Sequence, residues 1–401
     1  MERYSEYKDS GVEWLGEIPR HWVLRKMKFS FEERSQKGFP TLSLLAATQN
    51  HGVIRKSDYE NRTVEATKSL DTLKLVEVGD FVISLRSFQG GIELCHDRGI
   101  ISPAYTILKP THIKSCYFKY LGKSPVYLQL LKSMVTGIRE GQNIDYGKLK
   151  ENLIPIPTEA EQEAIANYLD KVTSKIDAAI AQQQKMIELL NERKQIIINN
   201  AVTKGLDPTA KMKPSGIPWL GNIPAHWEVR KLKQIARLQS GETINSEMFT
   251  ESGYPVFGGN GFRGYTDTYN HDGNYILIGR QGALCGNINY AHGHFFATEH
   301  AVVVYPFKYE DIIWLGELLR SSNLNQYSQS AAQPGLSVSV IGNICYPYPP
   351  DKEKKKISTY LQSVLPKIEN GINICNDRID LLQERKQIII NEVVTGKVKM
   401  P

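Results

Sequence analysis

An internal repeat constrains this chain more than any other feature of its sequence. Residues 10 to 28, SGVEWLGEIPRHWVLRKMK, return as residues 215 to 233, SGIPWLGNIPAHWEVRKLK, and twelve of the nineteen positions are identical. A second block, LLNERKQIIINNAVT at 189 to 203, returns as LLQERKQIIINEVVT at 381 to 395. Self-similarity of this kind indicates that one structural unit is present twice. The chain must therefore fold as two related halves.

The segments between the repeated blocks differ from each other. The offset between the copies falls from 205 to 192 residues, so the second segment is shorter by 13 residues, and the two segments show no obvious sequence match. The repeat thus predicts two constant frames that hold two divergent domains. The predicted organisation is a frame motif at 1–29, a first domain at 30–152, a first spacer helix at 153–205, the repeated frame motif at 206–233, a second domain at 234–344 and a second spacer helix at 345–401.

Both copies end in a long helical pattern. Apolar residues recur in steps of four and three over residues 165 to 197 and 357 to 389, which is the spacing of a coiled-coil seam. We expect the two helices to pair with each other, because polar side chains dilute the seam and neither helix should be stable alone. The alternative is two helices of a larger helical core. The diluting positions on the predicted seam include Arg193, Arg378 and Arg385, and Met186 occupies the position before Leu190.

The two divergent segments have the pattern of mixed α and β domains. Short apolar runs punctuated by Gly and Pro predict strands within residues 73 to 108 and 275 to 305, and helical pieces follow near 115 to 135 and 309 to 327. The predicted fold class is α+β, with two mixed α/β domains, two long helices in an antiparallel coiled coil, and an internal pseudo-twofold repeat.

Composition narrows the function classes. The chain has 41% hydrophobic and 23% charged residues, as ordinary globular proteins do, and a net charge of +6 that permits a polyanionic partner. It has no apolar stretch of about 20 residues, and its first residues lack the plan of a signal peptide, so we expect a cytoplasmic protein. Its five cysteines form no CxxC pair, which favours reduced thiols and no structural metal.

Motifs of catalysis are missing from the sequence. There is no GxxxxGK[ST] phosphate loop, no strand-linked GxGxxG and no Asn- or Asp-Pro-Pro-aromatic motif, so neither ATP nor a methyl donor has an evident site. Asp351 and Glu353 imitate a nuclease metal site, but acidic residues are expected in a first helical turn. The histidine cluster His292, His294, Glu299 and His300 has two interpretations, a metal site and a polar surface, and we favour the surface. We therefore expect a non-catalytic protein.

Polar residues near predicted strand ends are candidates for contacts with DNA bases. Arg and Gln can make bidentate contacts with guanine and adenine, and Asn can pair with adenine. The glycine-rich segment from Gly258 to Tyr269 would let backbone approach another surface closely, although a plain glycine-rich hairpin is the alternative. The candidates are Arg86, Ser87, Gln89, Arg139, Gln142 and Asn143 in the first domain, and Asn260, Arg263, Tyr265, Arg280, Gln281, Gln333 and Ser337 in the second.

These motifs together resemble the specificity subunit of type I restriction-modification systems. The resemblance rests on the SGVEWLGEIPRHW and SGIPWLGNIPAHW motifs, on the helix start at Pro155, Pro157, Glu161 and Gln162, and on the LLxERKQ helix end. It implies that each domain is a target-recognition domain that reads half of a bipartite, asymmetric DNA site, and that the helices set the unread spacer. It also implies two partner methyltransferase subunits that methylate adenine with S-adenosylmethionine, and translocating nuclease subunits that use ATP and magnesium. The second copy departs from the pattern at Glu353-Lys354, where the Glu-Gln pair is expected.

Two other functions compete with this interpretation. One is a coiled-coil scaffold whose domains bind proteins. Its affinity for a protein partner would fall less steeply with salt than an affinity for DNA, which depends on phosphate contacts. A nuclease or methyltransferase acting alone is the other, against which the missing motifs speak.

Overall fold

A computed structural model describes residues 2–49, 51–59, 70–84, 86–136, 143–282, 284–308, 312–328 and 335–400. It confirms the α+β class with two long helices that pack together. The chain divides into two compact units, the first made of residues 1–183 and 377–401 and the second of residues 184–376. Each unit therefore contains the start of one long helix and the end of the other.

The first unit holds its frame strands and one mixed domain. Its strands are β1 (Tyr7–Asp9), β2 (Glu17–Pro19), β3 (Val23–Lys26), β4 (Phe31–Arg34), β5 (Leu45–Thr48), β6 (Gly52–Arg55), β7 (Lys74–Val76), β8 (Phe81–Ile83), β9 (Glu93–Leu94), β10 (Gly99–Ile101), β11 (Thr106–Pro110), β12 (Val135–Thr136), β13 (Asn143–Ile144) and β14 (Leu153–Ile156). Its helices are α1 (Ser87–Gly90), α2 (Ser115–Leu121), α3 (Pro125–Ser133) and α4 (Tyr146–Leu149), and the long α5 (Glu159–Lys204) begins here.

The second unit also contains frame strands, one mixed domain and parts of the two long helices. Its strands are β15 (Met212–Pro214), β16 (Asn222–Pro224), β17 (Glu228–Lys231), β18 (Ala236–Ser240), β19 (Tyr254–Gly258), β20 (Gly261–Thr266), β21 (His271–Asp272), β22 (Tyr275–Gly279), β23 (Ile288–Ala291), β24 (His294–Ala297), β25 (Ala301–Pro306) and β26 (Cys345–Tyr348). Its helices are α6 (Leu232–Ile235), α7 (Ile312–Ser321) and α8 (Val338–Asn343), and the long α9 (Asp351–Val394) begins here.

The two divergent domains share one topology despite their unrelated sequences. The main antiparallel sheet has the order β4-β11-β8-β9 in the first domain and β18-β25-β22-β23 in the second. A hairpin follows the first strand in each, β5-β6 and β19-β20, and a parallel contact joins each hairpin to the next sheet, Leu44 with Ile100 and Val256 with Phe296. The duplication therefore includes the domains as well as the frames.

Alternation of side chains along the central strands explains the layers of each domain. In the second domain Ile276, Ile278 and Val304 face the large core that includes helix α7, whereas Leu277 and Val303 face a smaller core on the other side of the sheet. Successive residues of a strand point to opposite faces, so these runs are apolar throughout because both faces are covered. The first domain repeats the arrangement: Phe81 and Leu108 face its large core, and Val82 and Ile107 face its smaller one.

The repeated His-Trp pair joins the two long helices in each unit. In the first unit, Glu161 in the first turn of α5 accepts hydrogen bonds from His21 Nε2 (2.8 Å) and Trp22 Nε1 (3.3 Å). The ring of the same Trp22 lies against Gly396, just past the end of α9, where an added Cβ would be 3.0 Å from Cη2. Gly396 has a φ of +76°, which glycine adopts freely. The buried indole of Trp22 thus contacts both the start of α5 and the residue just past the end of α9.

The second unit repeats this junction and corrects an expectation from the sequence. Glu353 accepts hydrogen bonds from His226 Nε2 (2.6 Å) and Trp227 Nε1 (2.9 Å), and the Trp227 ring lies against Gly205. The glutamate of the expected Glu-Gln pair is therefore present, because Glu353 makes the contacts that Glu161 makes. The departure is confined to Lys354, which replaces Gln162 and lies 3.5 Å from the Tyr348 ring centroid.

The long helices run antiparallel where they meet inside each unit. In the first unit Lys386 Nζ donates to Asp177 Oδ1 (2.6 Å), and in the second Lys194 Nζ donates to Glu369 Oε1 (2.7 Å). The 192-residue offset relates Lys194 to Lys386 and Asp177 to Glu369, so the two ion pairs are the same contact present twice. The same local helix contact is therefore present once in each unit.

The predicted seam was wrong at two positions of each helix. Met186 is 48% exposed and Arg193 is exposed, whereas Ile187 and Lys194 are half-buried in their place. The same shift by one residue occurs at Arg378 and Arg385 in α9. A straight helix of 3.6 residues per turn drifts against a strict seven-residue pattern, so the buried stripe moves along by one residue.

No helix within the described residues is apolar over enough of its length to cross a membrane.

Candidate nucleic-acid interface

In the second domain the candidate residues lie on segments that meet at one end of the main sheet. The β19-β20 turn, the end of β22 and the segment before β25 come together there. Arg280 N donates to His300 O (2.8 Å), and Leu336 N donates to Arg280 O (2.9 Å). Gly259 lies so close that an added Cβ would be 3.1 Å from the carbonyl oxygens of Gln281 and His300. The glycine-rich turn is therefore needed for backbone to pack on backbone.

The side chains at this end are prepared for contact in different ways. Gln281 is exposed, whereas Arg280 is half-buried and its Nη1 donates to Ser240 Oγ (3.2 Å), which holds the guanidinium in place. Ser337 caps helix α8, because its Oγ accepts a hydrogen bond from Val340 N (3.2 Å). Arg280 and Gln281 thus present hydrogen-bonding groups, whereas the Ser337 hydroxyl already stabilises the start of helix α8.

The β19-β20 hairpin projects polar and aromatic side chains into solvent. Asn260, Arg263 and Tyr265 are all exposed, Tyr265 by 39%. The Arg263 guanidinium lies 5.8 Å from the Phe249 ring centroid, a cation–π contact that limits its movement. The sequence prediction missed Phe262, which is 55% exposed between Asn260 and Arg263. Strand alternation could not have found it, because consecutive residues Phe262 and Arg263 are both exposed and the burial along β20 does not alternate there.

In the first domain the candidates follow β8, the strand equivalent to β22. Arg86, which precedes the one-turn helix α1, and Gln89, which lies within it, are both exposed. Ser87 is buried, and its Oγ accepts a hydrogen bond from Ser84 N (2.8 Å), so its hydroxyl already serves the turn. An added Cβ at Gly90 would be 3.1 Å from Cβ of Gln49, which places α1 against the β5-β6 turn. The strand end and the hairpin meet here as in the second domain.

A buried carboxylate lies beneath this part of the first domain. Glu93 on β9 is 2% exposed, and Lys123 Nζ lies 2.7 Å from its Oε2. Burial raises the pKa of Glu93 to about 7, although the Lys123 ammonium pulls it down. Lys123 also donates to Gln49 O (2.8 Å), so one ammonium connects the carboxylate to the hairpin turn.

Several other predicted groups can be placed. Arg139, Gln142 and Gln333 lie outside the described residues, and of Asn143 only the backbone in β13 is described. Asp351 pairs with Lys308 and Lys354, whereas Glu353 is bonded to His226 and Trp227. In the part of the chain that the structure describes, no three His, Cys, Asp or Glu side chains are grouped as metal ligands would be.

Comparison with protein families identifies one domain in this chain. Residues 224–374 match the family model described as the type I restriction modification DNA specificity domain. This range begins at the second frame motif, contains the whole second domain and ends inside α9.

Individual relatives match different shares of the chain. The specificity subunit of the type I restriction enzyme EcoprrI from Escherichia coli is 40% identical over 149 residues, which are 36% of each protein, so the chain matches about a third of that relative's length. The specificity subunit of MjaVIII from Methanocaldococcus jannaschii is 28% identical over 68% of this chain and 69% of its own.

Two solved structures share the fold. One, from work on complex assembly and conformational transition of the type I R-M system, superposes with a TM-score of 0.67 at 15% identity and covers 95% of this chain and 99% of its own. The HsdS subunit from Thermoanaerobacter tengcongensis superposes with a TM-score of 0.51 at 14% identity and covers 97% and 100%. The family match and the two relatives confirm the resemblance predicted from the sequence, and the two solved structures share the fold.

Proposed function

We propose that this chain, which carries a type I restriction modification DNA specificity domain and is a confirmed relative of the specificity subunits, reads DNA sequence for a type I restriction-modification enzyme. Each of its domains is proposed to read one half of a bipartite, asymmetric site. The observation that carries this proposal is one topology with two different surfaces, built on a repeated frame.

The chemistry of the two surfaces supports reading of base edges. Each domain places exposed Arg, Gln or Asn side chains beside a hairpin at the same end of its main sheet, Arg86 and Gln89 in the first and Asn260, Arg263 and Gln281 in the second. These side chains can bond guanine or adenine in the major groove. Because the two sets differ, the two half-sites should differ, and the whole target should be asymmetric.

The frame supports two copies of one partner. Leu189 and Ile196 on α5 are 48% and 52% exposed, and the equivalent Leu381 and Ile388 on α9 are 64% and 49% exposed. An apolar pair seven residues apart lies on one helix face, where a partner can cover it. A surface present once in each of two related units suits two identical subunits. We propose that these are methyltransferase subunits.

Chemistry is assigned to the partners. Specificity subunits are non-catalytic, so adenine methylation with S-adenosylmethionine is proposed for the methyltransferase subunits. ATP- and magnesium-dependent cleavage is proposed for restriction-translocase subunits. The complex would then be a site-specific adenine methyltransferase and an ATP-dependent endonuclease, which this chain directs to its site.

A domain exchange tests the proposal. Replacing residues 30–152 with the corresponding domain of a relative should change one half of the methylated site and leave the other half unchanged, as read by genome-wide mapping of methylated adenine. The control is the same exchange of residues 234–344, which should change the opposite half. Methylation that ignores both exchanges would contradict DNA reading by this chain and favour a protein-binding scaffold.

A further inference from the structure

The β19-β20 hairpin exposes an aromatic ring that contributes little to its core. Phe262 is 55% exposed, and its ring centroid lies 5.1 Å from that of Tyr265 and 6.4 Å from that of Phe257. Asn260 and Arg263, both exposed, lie on either side of it along the chain. The hairpin therefore presents one apolar group between two hydrogen-bonding groups.

The first domain shows that the shared topology does not require this exposure. In its hairpin Gly52 pairs with Thr48, and the next residue, Val53, is completely buried. In the second domain Gly261 pairs with Gly258, and the next residue is Phe262. The residue that follows the first glycine of the second hairpin strand thus packs into the core in one domain and faces solvent in the other. A position that changes in this way between two domains of one topology is suited to a domain-specific task.

We propose that Phe262 is a specificity residue that contacts the C5-methyl group of one thymine in the half-site read by the second domain. The methyl group is the apolar feature of the major groove, and Phe is among the side chains that contact it. Asn260 and Arg263 would bond the neighbouring base pairs through their polar groups. This inference rests on the proposed function.

The experiment removes the methyl group without changing any hydrogen bond. The full chain, in complex with its methyltransferase subunits, is titrated with duplexes that carry the methylated site, and each thymine of the half-site is replaced in turn by deoxyuridine on either strand. One replacement should weaken binding by wild type about fourfold, the value of burying one methyl group. Phe262→Ala should bind the unmodified duplex with a similar loss and be indifferent to that replacement.

Phe307 supplies the matched control. It is 64% exposed in the same unit but follows the far end of β25, about 20 Å from the strand's first residue at 3.4 Å per residue. Phe307→Ala should retain the wild-type response to deoxyuridine, and both variants should melt at the wild-type temperature.

The possible outcomes separate the two proposals. A half-site without thymine, no sensitivity to deoxyuridine, or equal sensitivity in wild type and Phe262→Ala would overturn the role of Phe262 and leave DNA reading intact. A wild-type complex that binds a duplex of unrelated sequence as tightly as the duplex that carries the site would contradict the proposed function itself.

Discussion

The Glu353-Trp227 hydrogen bond offers a direct test of how the frame is held together. Glu353→Gln keeps the shape of the side chain but replaces one of the two carboxylate oxygens that contact His226 Nε2 and Trp227 Nε1 with an NH2 group, which cannot accept a hydrogen bond. Trp227 is completely buried, and an indole N–H left without a partner costs about 1–3 kcal/mol. For a unit of this size, a loss of about 2 kcal/mol lowers the melting temperature by roughly 4–8 °C.

A double-mutant cycle isolates this bond. Calorimetry and urea unfolding followed by circular dichroism should be applied to Glu353→Gln, Trp227→Phe and the double variant. Because phenylalanine has no N–H to leave unpaired, the double variant should lose about 1 kcal/mol less than the sum of the single losses. Asp351→Asn controls for the first-turn charge, since Asp351 is paired with Lys308 and Lys354 and should contribute roughly 0.3–1 kcal/mol. Strictly additive losses would refute the view that this bond holds the junction.

Three further predictions follow from the geometry. Burial raises the pKa of Glu93 above its value in the unfolded chain to about 7, so the stability that its protonated form contributes is present below about pH 4.5 and is lost as the pH rises through 7. Glu93→Gln should therefore gain stability relative to wild type across that pH range, by up to about 3 kcal/mol in urea unfolding. A stability difference that does not change with pH would contradict the assignment. Gly259→Ala should weaken binding of the half-site read by the second domain alone, because the added Cβ would push against the Gln281 and His300 carbonyls. A competition assay in which each half-site is altered in turn would show any effect on the half-site read by the first domain. A double-mutant cycle on the Lys386-Asp177 pair should give a coupling energy of about 0.5 kcal/mol. The same cycle on the Lys194-Glu369 pair should give the same value, because the side chains of the two pairs are equally exposed. Unequal coupling energies would argue against equivalent helix contacts.

The fold could be anticipated where the sequence repeats, and less so elsewhere. The duplicated motifs and the heptad spacing were enough to predict two frames and two paired helices of about the observed length. The common topology of the domains could not be predicted, because many apolar sequences satisfy the same alternation of buried faces. The seam failed at Met186 because spacing alone does not show how far a helix drifts from a seven-residue period.

The candidate site shows a similar division. Strand ends followed by Arg or Gln pointed to residues with a shared location in the two domains, since Arg280, Gln281, Arg86 and Gln89 all lie where a hairpin meets the end of the main sheet. Composition could not distinguish residues that serve local structure. Ser87 is engaged by the backbone of Ser84, a contact that depends on turn geometry rather than on residue type. These assignments to DNA contact stay predictions.

The sharing of two helices between two units has a consequence for synthesis on the ribosome. The second unit is one continuous segment, residues 184–376, so all of its contacts are available as soon as that segment has emerged. The first unit is translated earlier but lacks residues 377–401, which include the helix end that packs on Trp22. Domains usually fold in order from the amino terminus. Here we expect the reverse order, in which the second unit completes its fold first. The first unit should keep apolar surface exposed to chaperones until the last turns of α9 have been synthesised.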